Sequence, residues 1–408
     1  MVDPARALQD GFAPGPPKGL GVAVSGGGDS VALLHLLAEW RGAGGPDLAV
    51  VTVDHGLRPE AASEATDVAA QAAGLGLPHD TLHWHWDGKG NLPDAARRGR
   101  LQLIADWARG RGLGDVALGH TRDDQAETFL MRLARGSGAD GLSGMARRRE
   151  ALGIRWWRPL LSVGRDELRD WLAARGLAWV DDPSNDDPAY DRVRMRQALP
   201  HLATLGLDAR TLAATADRLA EAREVLEAAA DRLARDAARI EAGDVVVDAA
   251  MLAAAPTETR LRLFSRALLF VAPSDYRPRR AQAEAALATA LGGGRGVLAG
   301  ALVLGGPQIR FARELAAVAG EIATPGTVWD RRWALSGSGE AEIRALGEAG
   351  LAQLEDWRSA GRPRAAVLAD PGVWSGQRLL AAPTLGPALA KGWAARLLAP
   401  ESQLYGKA

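Results

Sequence analysis

The stretch LGVAVSGGGDSVALLHLLAEW, Leu20 to Trp40, contains an apolar run, a glycine-rich turn and an amphipathic run in direct succession. The apolar run LGVAV (Leu20–Val24) predicts a buried strand, and Ser30–Trp40 has the apolar spacing of a helix. Three glycines between them let the backbone turn tightly and bring its amides close to a ligand. Because amides at a helix N-terminus attract anions, SGGGDS predicts a phosphate-binding turn.

The alternation of strand and helix continues from this turn to about Val180. Further strands are predicted over Leu48–Val53, His79–Trp86 and Asp115–Gly119, and further helices over Glu60–Ala73, Asp94–Arg109 and Asp123–Arg135. Strand–helix units of about 30 residues predict an α/β fold with a parallel, doubly wound sheet. Such sheets bind their ligands at the carboxyl ends of the strands.

The pattern changes after Arg192. One long helix is predicted from apolar residues that recur every seven positions, namely Leu212, Leu219, Leu226, Leu233 and Ile240. Two more helices are predicted over Thr257–Phe270 and Arg279–Leu291, and the glycine-rich break Gly292–Gly296 precedes short apolar runs typical of strands. We therefore expect a catalytic domain over 1–190, a helical domain over 191–295 and a small β-containing module over 296–408.

Composition excludes several classes of protein. The 408 residues contain 49 basic and 50 acidic side chains, so the formal net charge is −1 and a chain that is a polycation throughout is excluded. Cysteine is absent, which excludes disulfides, thiolate metal sites and cysteine nucleophiles. The sequence has no apolar run long enough to span a membrane and no secretory pattern at its start, so we expect a cytoplasmic protein.

The glycine-rich turn supplies the candidate nucleotide site. Walker-type phosphate loops contain a lysine, which this turn lacks, so the carboxylate of Asp29 is expected to reach phosphate through Mg²⁺. The second strand ends beside the first in such a sheet, and the nucleotide base is expected there. The candidate nucleotide-binding residues are Ser25, Gly26, Gly27, Gly28, Asp29, Ser30, Val53 and Asp54.

A second cluster of polar side chains follows the fourth predicted strand, in LGHTRDDQAETFL (Leu118–Leu130). His120 leaves the strand, and Asp124 and Glu127 share one face of the next helix. Such a group can hold Mg²⁺, bind an ammonium group and accept a proton, and the sequence leaves open which carboxylate is the base. Asp123 is either a site residue or the N-cap of the helix.

Two pairs of arginines have helical spacing. Arg97 and Arg100 lie three apart in NLPDAARRGR, and Arg192 and Arg196 lie four apart in DRVRMR. Guanidinium groups present fixed donors that suit phosphates. We expect both faces to contact ATP or nucleic-acid phosphate.

These segments together resemble one family. SGGGDS resembles the phosphate loop of the N-type ATP pyrophosphatases, and VDHGLR (Val53–Arg58), the GH-x-x-DDQ-x-ET pattern and DPSN (Asp182–Asn185) resemble the tRNA(Ile)-lysidine synthetases. The resemblance covers Gly19–Arg196 in the family's order, and it returns weakly in the C-terminal module. Three residues differ from the family pattern, since Leu101, Thr121 and Val193 replace a tyrosine, a histidine and an asparagine.

The resemblance implies ATP, Mg²⁺, free L-lysine and tRNA(Ile) with a CAU anticodon. The wobble cytidine is adenylated, and the lysine amine then displaces AMP. Asp29, Asp124 and Glu127 are implied as metal ligands, with Asp124 and Glu127 also binding lysine and Asp124 as the candidate base. His120, Arg97 and Arg192 are implied to hold the phosphates and the adenylate. The second half of the chain is implied to hold the tRNA, and nothing in the sequence indicates an oligomeric state.

Three alternatives differ from this interpretation. A tRNA-thiolating relative normally uses cysteine, and this chain has none. A small-molecule amide synthetase of the same fold leaves the arginine-rich second half unexplained. A non-catalytic tRNA-binding protein is disfavoured because Ser25, Asp29, Asp124 and Glu127 are all present.

Overall fold

The computed structural model describes residues 3–56, 60–86, 88, 91–180, 189–274 and 277–406. The chain divides into two compact units, Met1–Arg223 and Glu224–Ala408. No helix among the described residues is both long enough and apolar enough to cross a membrane.

The first unit is built on a six-stranded sheet in the order β3-β2-β1-β4-β6-β5. Neighbouring strands run parallel except β5, which pairs antiparallel with β6 at one edge. The strands are β1 (Gly19–Ala23), β2 (Asp47–Asp54), β3 (His79–His83), β4 (Asp115–Leu118), β5 (Arg148–Ala151) and β6 (Ile154–Trp157).

The described residues of the first unit contain eight helices that lie wholly within it. They are α1 (Pro4–Asp10), α2 (Gly28–Gly42), α3 (Ala61–Gly74), α4 (Leu92–Gly110), α5 (Arg122–Ala134), α6 (Ala139–Leu142), α7 (Arg165–Ala173) and α8 (Asp191–Ala203).

Apolar side chains cover both faces of this sheet. Alternate residues of β1 point to opposite faces, so Leu20 and Val22 pack with α1, α2, α3 and α7, whereas Ala23 packs with α4. The prediction of a parallel sheet with helices on both faces is therefore confirmed. The β5–β6 pair and α1 were not predicted, and the third strand ends at His83 instead of Trp86.

The long helix α9 (Ala209–Ala237) confirms most of the predicted seven-residue repeat. Leu212 and Ala216 pack against Ala126 and Phe129 of α5. The prediction for Ile240 was wrong, because this residue lies in a strand, β7 (Ala238–Glu241).

The second unit contains a five-stranded antiparallel sheet, β7-β8-β11-β10-β9, and two three-stranded sheets, β12-β13-β17 and β14-β15-β16. The strands that follow β7 are β8 (Asp244–Asp248), β9 (Arg295–Leu298), β10 (Ala301–Leu304), β11 (Gln308–Arg313), β12 (Val328–Trp329), β13 (Trp333–Ser336), β14 (Glu342–Ala345), β15 (Pro371–Ser375), β16 (Arg378–Ala381) and β17 (Ala394–Leu397).

The remaining helices of the described residues are short, apart from two that were predicted. They are α10 (Ala249–Ala254), α11 (Thr257–Val271), α12 (Arg280–Leu291), α13 (Leu315–Val318), α14 (Gly347–Leu351), α15 (Arg364–Val367), α16 (Pro387–Ala390) and α17 (Ser402–Tyr405), with 3₁₀ turns at Trp357–Ala360 and Pro383–Leu385. The expected C-terminal β-containing module is confirmed.

A buried ion network joins the sheets of the second unit. The guanidinium of Arg362, whose side chain is 4% exposed, lies 2.8 Å from Asp244 at the start of β8 and also pairs with Asp370. Arg310 of β11 lies 2.8 Å from the same carboxylate of Asp244. The network therefore holds the segment 362–370 against the five-stranded sheet. Removing one of its partners would leave an uncompensated buried charge.

Candidate active site

The glycine-rich turn connects β1 to α2 at the carboxyl edge of the sheet. The Ser30 hydroxyl donates to the carbonyl of Gly27 at 2.9 Å and accepts the amide of Ser25 at 3.1 Å. Gly26 has φ of +87°, a conformation that favours glycine. These contacts close the turn on itself, as the sequence predicted.

The first turn of α2 has no side-chain cap, because its N-cap residue is Gly27. The Ser30 amide donates to the carbonyl of Gly27 at 3.0 Å, whereas the amides of Gly28 and Asp29, which precede it, have no partner within the helix. A Cβ on Gly119, which follows β4, would lie 2.8 Å from the carbonyl oxygen of Asp29. Glycine at 119 thus lets β4 end directly against this turn.

Helix α5 begins with a capping box. Thr121 is the N-cap, and Asp124 in the first turn accepts both the amide of Thr121 at 2.8 Å and its hydroxyl at 3.0 Å, all through Oδ2. The alternative in which Asp123 caps this helix is wrong. Its carboxylate instead accepts the amide of Arg165 at 2.7 Å, at the start of α7.

Arg165 is the site residue that the sequence interpretation missed. Its guanidinium lies 3.2 Å from Asp29 Oδ2, 3.5 Å from Asp124 Oδ1 and 3.3 Å from Glu127 Oε1. Arginine at a helix N-terminus opposes the helix dipole. That local conflict was the signal available in the sequence that this side chain acts through distant partners.

Glu127 is completely buried and has three arginine partners among the described residues. Besides Arg165, Arg196 lies 2.8 Å from Oε1 and Arg192 lies 3.2 Å from Oε2. Arg192 and Arg196 lie four apart on α8, so the predicted shared face exists, and it faces a carboxylate. These ion pairs join α8 to α5, alongside the packing of Leu199 against the apolar cluster that contains Ala126 and Phe129.

Burial and neighbouring charges shift the pKa values of Asp29 and Asp124 in opposite directions. Burial raises the pKa of Asp29 from 3.8 to about 6, and Asp124 adds to the rise while Arg165 opposes it. Burial also favours a raised pKa for Asp124, but His120, Arg192, Arg165 and the Thr121 amide outweigh it and lower that pKa below its usual value. Asp124 is therefore a carboxylate at neutral pH.

His120 lies between the acidic group and a set of arginines. Burial, helped by the charges of Arg158 and Arg192, lowers its pKa to about 3, against the attraction of Asp124. The imidazole is therefore neutral at physiological pH. Within the described part of the chain, no group hydrogen bonds to the buried Nδ1 atom.

Arg158 directly follows β6 and is 9% exposed. It donates to the carbonyl of Ala146 at 2.9 Å. Burial first, and then the like charges of Arg149 and Arg97, lower its pKa to about 10. Arginines thus crowd one side of His120, where an anion would relieve their repulsion.

The segment GLSGM, Gly141 to Met145, is fastened to α5. Gln125 accepts the amide of Met145 at 2.7 Å and donates to its carbonyl at 3.1 Å. Arg132 donates to the carbonyl oxygens of Gly141 and Gly144 at 2.6 and 2.9 Å. In this structure Gln125 and Arg132 therefore hold the segment in place beside the site.

Some of the other predicted residues lie near this edge of the sheet, and the rest lie outside the described residues. Val53 and Asp54 end β2 beside β1, and Asp54 accepts the amide of Gly56 at 2.9 Å. Arg97 lies on α4, and its pKa is lowered by desolvation and by the charges of Arg192 and Arg149. Arg58 and Asp182–Asn185 lie outside the described residues.

The acidic residues fit a divalent cation in their chemistry. Mg²⁺ prefers one or two carboxylates together with phosphate oxygens, and Asp29, whose pKa is raised chiefly by burial, offers such a ligand beside Asp124. The described residues contain no group of three or more acidic or histidine side chains arranged around a metal position. Arg165 lies among the three carboxylates instead.

The strand, the glycine-rich turn and the helix, with the acidic group beside them, are typical of a class of nucleotide-binding domains. The family model described as "PP-loop domain" matches residues 2–202, so the first unit contains an ATP-binding PP-loop domain.

Similar curated proteins identify one family within this class. The tRNA(Ile)-lysidine synthase of Ruegeria pomeroyi is 50% identical over 99% of this chain and 97% of its own length. That of a Bradyrhizobium species is 46% identical over 63% of this chain and 75% of its own. A solved structure of the "U34-tRNA thiolase NcsA from Methanococcus maripaludis with its [4Fe-4S] cluster" is 17% identical, with a TM-score of 0.46, over 53% of this chain and 78% of that one. The chain belongs to the tRNA(Ile)-lysidine synthase family.

Proposed function

We propose that this protein is a carbon–nitrogen ligase that joins free L-lysine to carbon 2 of the wobble cytidine of tRNA(Ile) with a CAU anticodon. The reaction consumes ATP and releases pyrophosphate and AMP. Family membership over the whole chain supports the reaction. The observation that carries the mechanism is that the phosphate turn, Asp124 and His120 meet at one edge of the sheet.

The first step is adenylation of the tRNA. Backbone amides of the turn Ser25–Ser30 and the dipole of α2 bind the phosphates of ATP. Asp29 and Asp124 would hold Mg²⁺, which neutralises phosphate charge when bound, with Glu127 behind them. The cytidine O2 attacks the α-phosphorus, and the bond to the β-phosphate oxygen breaks to release pyrophosphate.

The second step is displacement of AMP by lysine. Asp124 is ionised and buried, so it attracts the ε-ammonium group and is placed to accept a proton from it. The amine forms a bond to carbon 2 as the bond from that carbon to the adenylate oxygen breaks. The neutral imidazole of His120, with Arg97 and Arg192, would orient the departing phosphate without adding a proton.

We also propose that the residues after 190 bind the body of the tRNA. The predicted boundary between the second and third parts, 191–295 and 296–408, falls inside β9, and the sheet of β9 takes strands from both sides of it. In the second unit, Arg280 pairs with Glu258 and Glu284 at 2.9 and 2.8 Å. Phosphate would have to compete with these carboxylates there. ATP, lysine and tRNA meet in the cytoplasm, where we place the reaction.

The test uses radiolabelled lysine, ATP, Mg²⁺ and bulk bacterial tRNA, with label counted after mild alkali has removed ordinary aminoacyl esters. We expect alkali-stable label that requires ATP. Asp124→Asn should reduce the rate at least about 100-fold, as expected for loss of a proton acceptor. The matched control is Asp106→Asn on α4, where the carboxylate pairs with Arg109 and Gln102, and it should retain activity. Absence of stable label with a competent isoleucine tRNA would overturn the proposal.

A further inference from the structure

Arg165 places a single guanidinium among three carboxylates that the proposed reaction needs. Its three nitrogens contact Asp29, Asp124 and Glu127 at 3.2 to 3.5 Å, and its side chain is only 16% exposed. Its backbone amide is held by Asp123. Contacts of both the guanidinium and the backbone amide therefore hold Arg165 in the site.

The charges of this group nearly balance. Asp29, Asp124 and Glu127 face Arg165, and Glu127 is also paired with Arg192 and Arg196. With Asp123, which accepts the Arg165 amide, four carboxylates meet three guanidiniums. A small cation that enters this group must compete with Arg165 for Asp29 and Asp124, and the guanidinium repels it at close range in a poorly hydrated place.

We propose that Arg165 is an internal counter-cation that keeps a divalent cation from binding Asp29 and Asp124 until a polyphosphate enters with it. The inference rests on the proposed function, because the polyphosphate is that of ATP. Phosphate oxygens give the guanidinium an alternative bidentate partner. Glu127 keeps Arg192 and Arg196 when Arg165 leaves, so it needs no new cation.

This role differs from that of a merely structural ion pair. A structural pair stabilises the fold and leaves cation affinity unchanged. An internal counter-cation makes the metal and the nucleotide bind interdependently, because each one removes the obstacle to the other. Arg165 is therefore a positioning residue whose effect is read from cation binding.

The experiment measures Mn²⁺ binding to the full-length protein by the electron paramagnetic resonance of free Mn²⁺, with and without a non-hydrolysable ATP analogue. Without nucleotide, Arg165→Gln should bind Mn²⁺ at least about tenfold more tightly than the wild type, since one close positive charge is gone. Arg165→Lys keeps the charge and should stay near the wild type. Arg175→Gln, which removes a guanidinium 3.1 Å from Glu39 just beyond α7, should also leave the affinity unchanged.

Two results would overturn the proposal. One is equal Mn²⁺ affinity of the wild type and Arg165→Gln without nucleotide, in a variant whose melting curve shows that it is folded. The other needs no variant, namely wild-type protein that binds Mn²⁺ as tightly without the ATP analogue as with it. Neither arm contains tRNA or lysine, so failure here is separate from failure of the lysidine reaction.

Discussion

At the scale of single residues, Thr121 fixes the carboxylate on which the proposed chemistry depends. The side chain of Thr121 is fully buried, and its hydroxyl and amide both donate to Asp124 Oδ2. The other oxygen, Oδ1, faces Arg165. A histidine was implied at this position by the family pattern, and threonine here orients Asp124 instead.

We therefore predict that Thr121→Val, which keeps the shape but removes the hydroxyl, lowers the rate of lysidine formation more than it lowers lysine affinity. Loss of the cap should also cost about 0.5–2 kcal/mol of the free energy of unfolding. Steady-state kinetics and urea denaturation measure the two effects. Thr121→Ser retains the hydroxyl and is the control, and a Thr121→Val enzyme with wild-type kcat would contradict this role.

Arg165 shows why some site residues could not be predicted from the sequence. Asp124 and Glu127 lie in one helical segment with His120 just before it, so local spacing brings them together. The partners of Arg165 lie 136, 41 and 38 residues away along the chain. Only the crossing of α2, α5 and α7 at one edge of the sheet brings them to the guanidinium.

At the scale of elements, the ends of β4 and α2 depend on the absence of a side chain at Gly119. A Cβ at this position would approach the backbone of Asp29 and Ser30 to 2.8–3.0 Å. Backbone atoms of a helix start cannot yield as a side chain can. The first turn of α2, whose amides are proposed to bind phosphate, would have to shift.

We predict that Gly119→Ala weakens ATP binding and lowers the free energy of unfolding by about 1–3 kcal/mol, as overpacking does. The control is Gly114→Ala just before the same strand, where an added Cβ meets nothing within 4 Å. Calorimetric titration with an ATP analogue measures the binding. Unchanged ATP affinity in Gly119→Ala would show that the turn tolerates displacement.

The elements also show where sequence patterns fail. Strands β1, β2 and β4 were predicted because continuous apolar runs are buried on both faces of a parallel sheet. Ile240 continued a seven-residue repeat, yet the β-branched run of β8 and the turn at Ala242 and Gly243, both with positive φ, pair it into a hairpin. Tertiary pairing overrode a helical repeat whose last members lie beside good strand formers.

At the scale of the whole molecule, a unit that contains the PP-loop domain is followed by a second unit rich in short strands. The described residues of the first unit hold the phosphate turn, the acidic group and the arginines around His120. The near-zero net charge of the chain requires tRNA to be bound by local basic surfaces. The proposed tRNA-binding role of the second half therefore depends on arginines that are free of carboxylate partners.

Mass spectrometry of the nucleosides of tRNA(Ile) after reaction with ATP and lysine tests the central claim most directly. Two transcripts with the same CAU anticodon are compared, one of tRNA(Ile) and one of methionine tRNA. The account predicts that the wobble cytidine of tRNA(Ile) gains the mass of lysine less one water, only when ATP is present, and that the methionine tRNA is unchanged. An unmodified wobble cytidine in tRNA(Ile), or a lysine mass at another nucleoside, would contradict it.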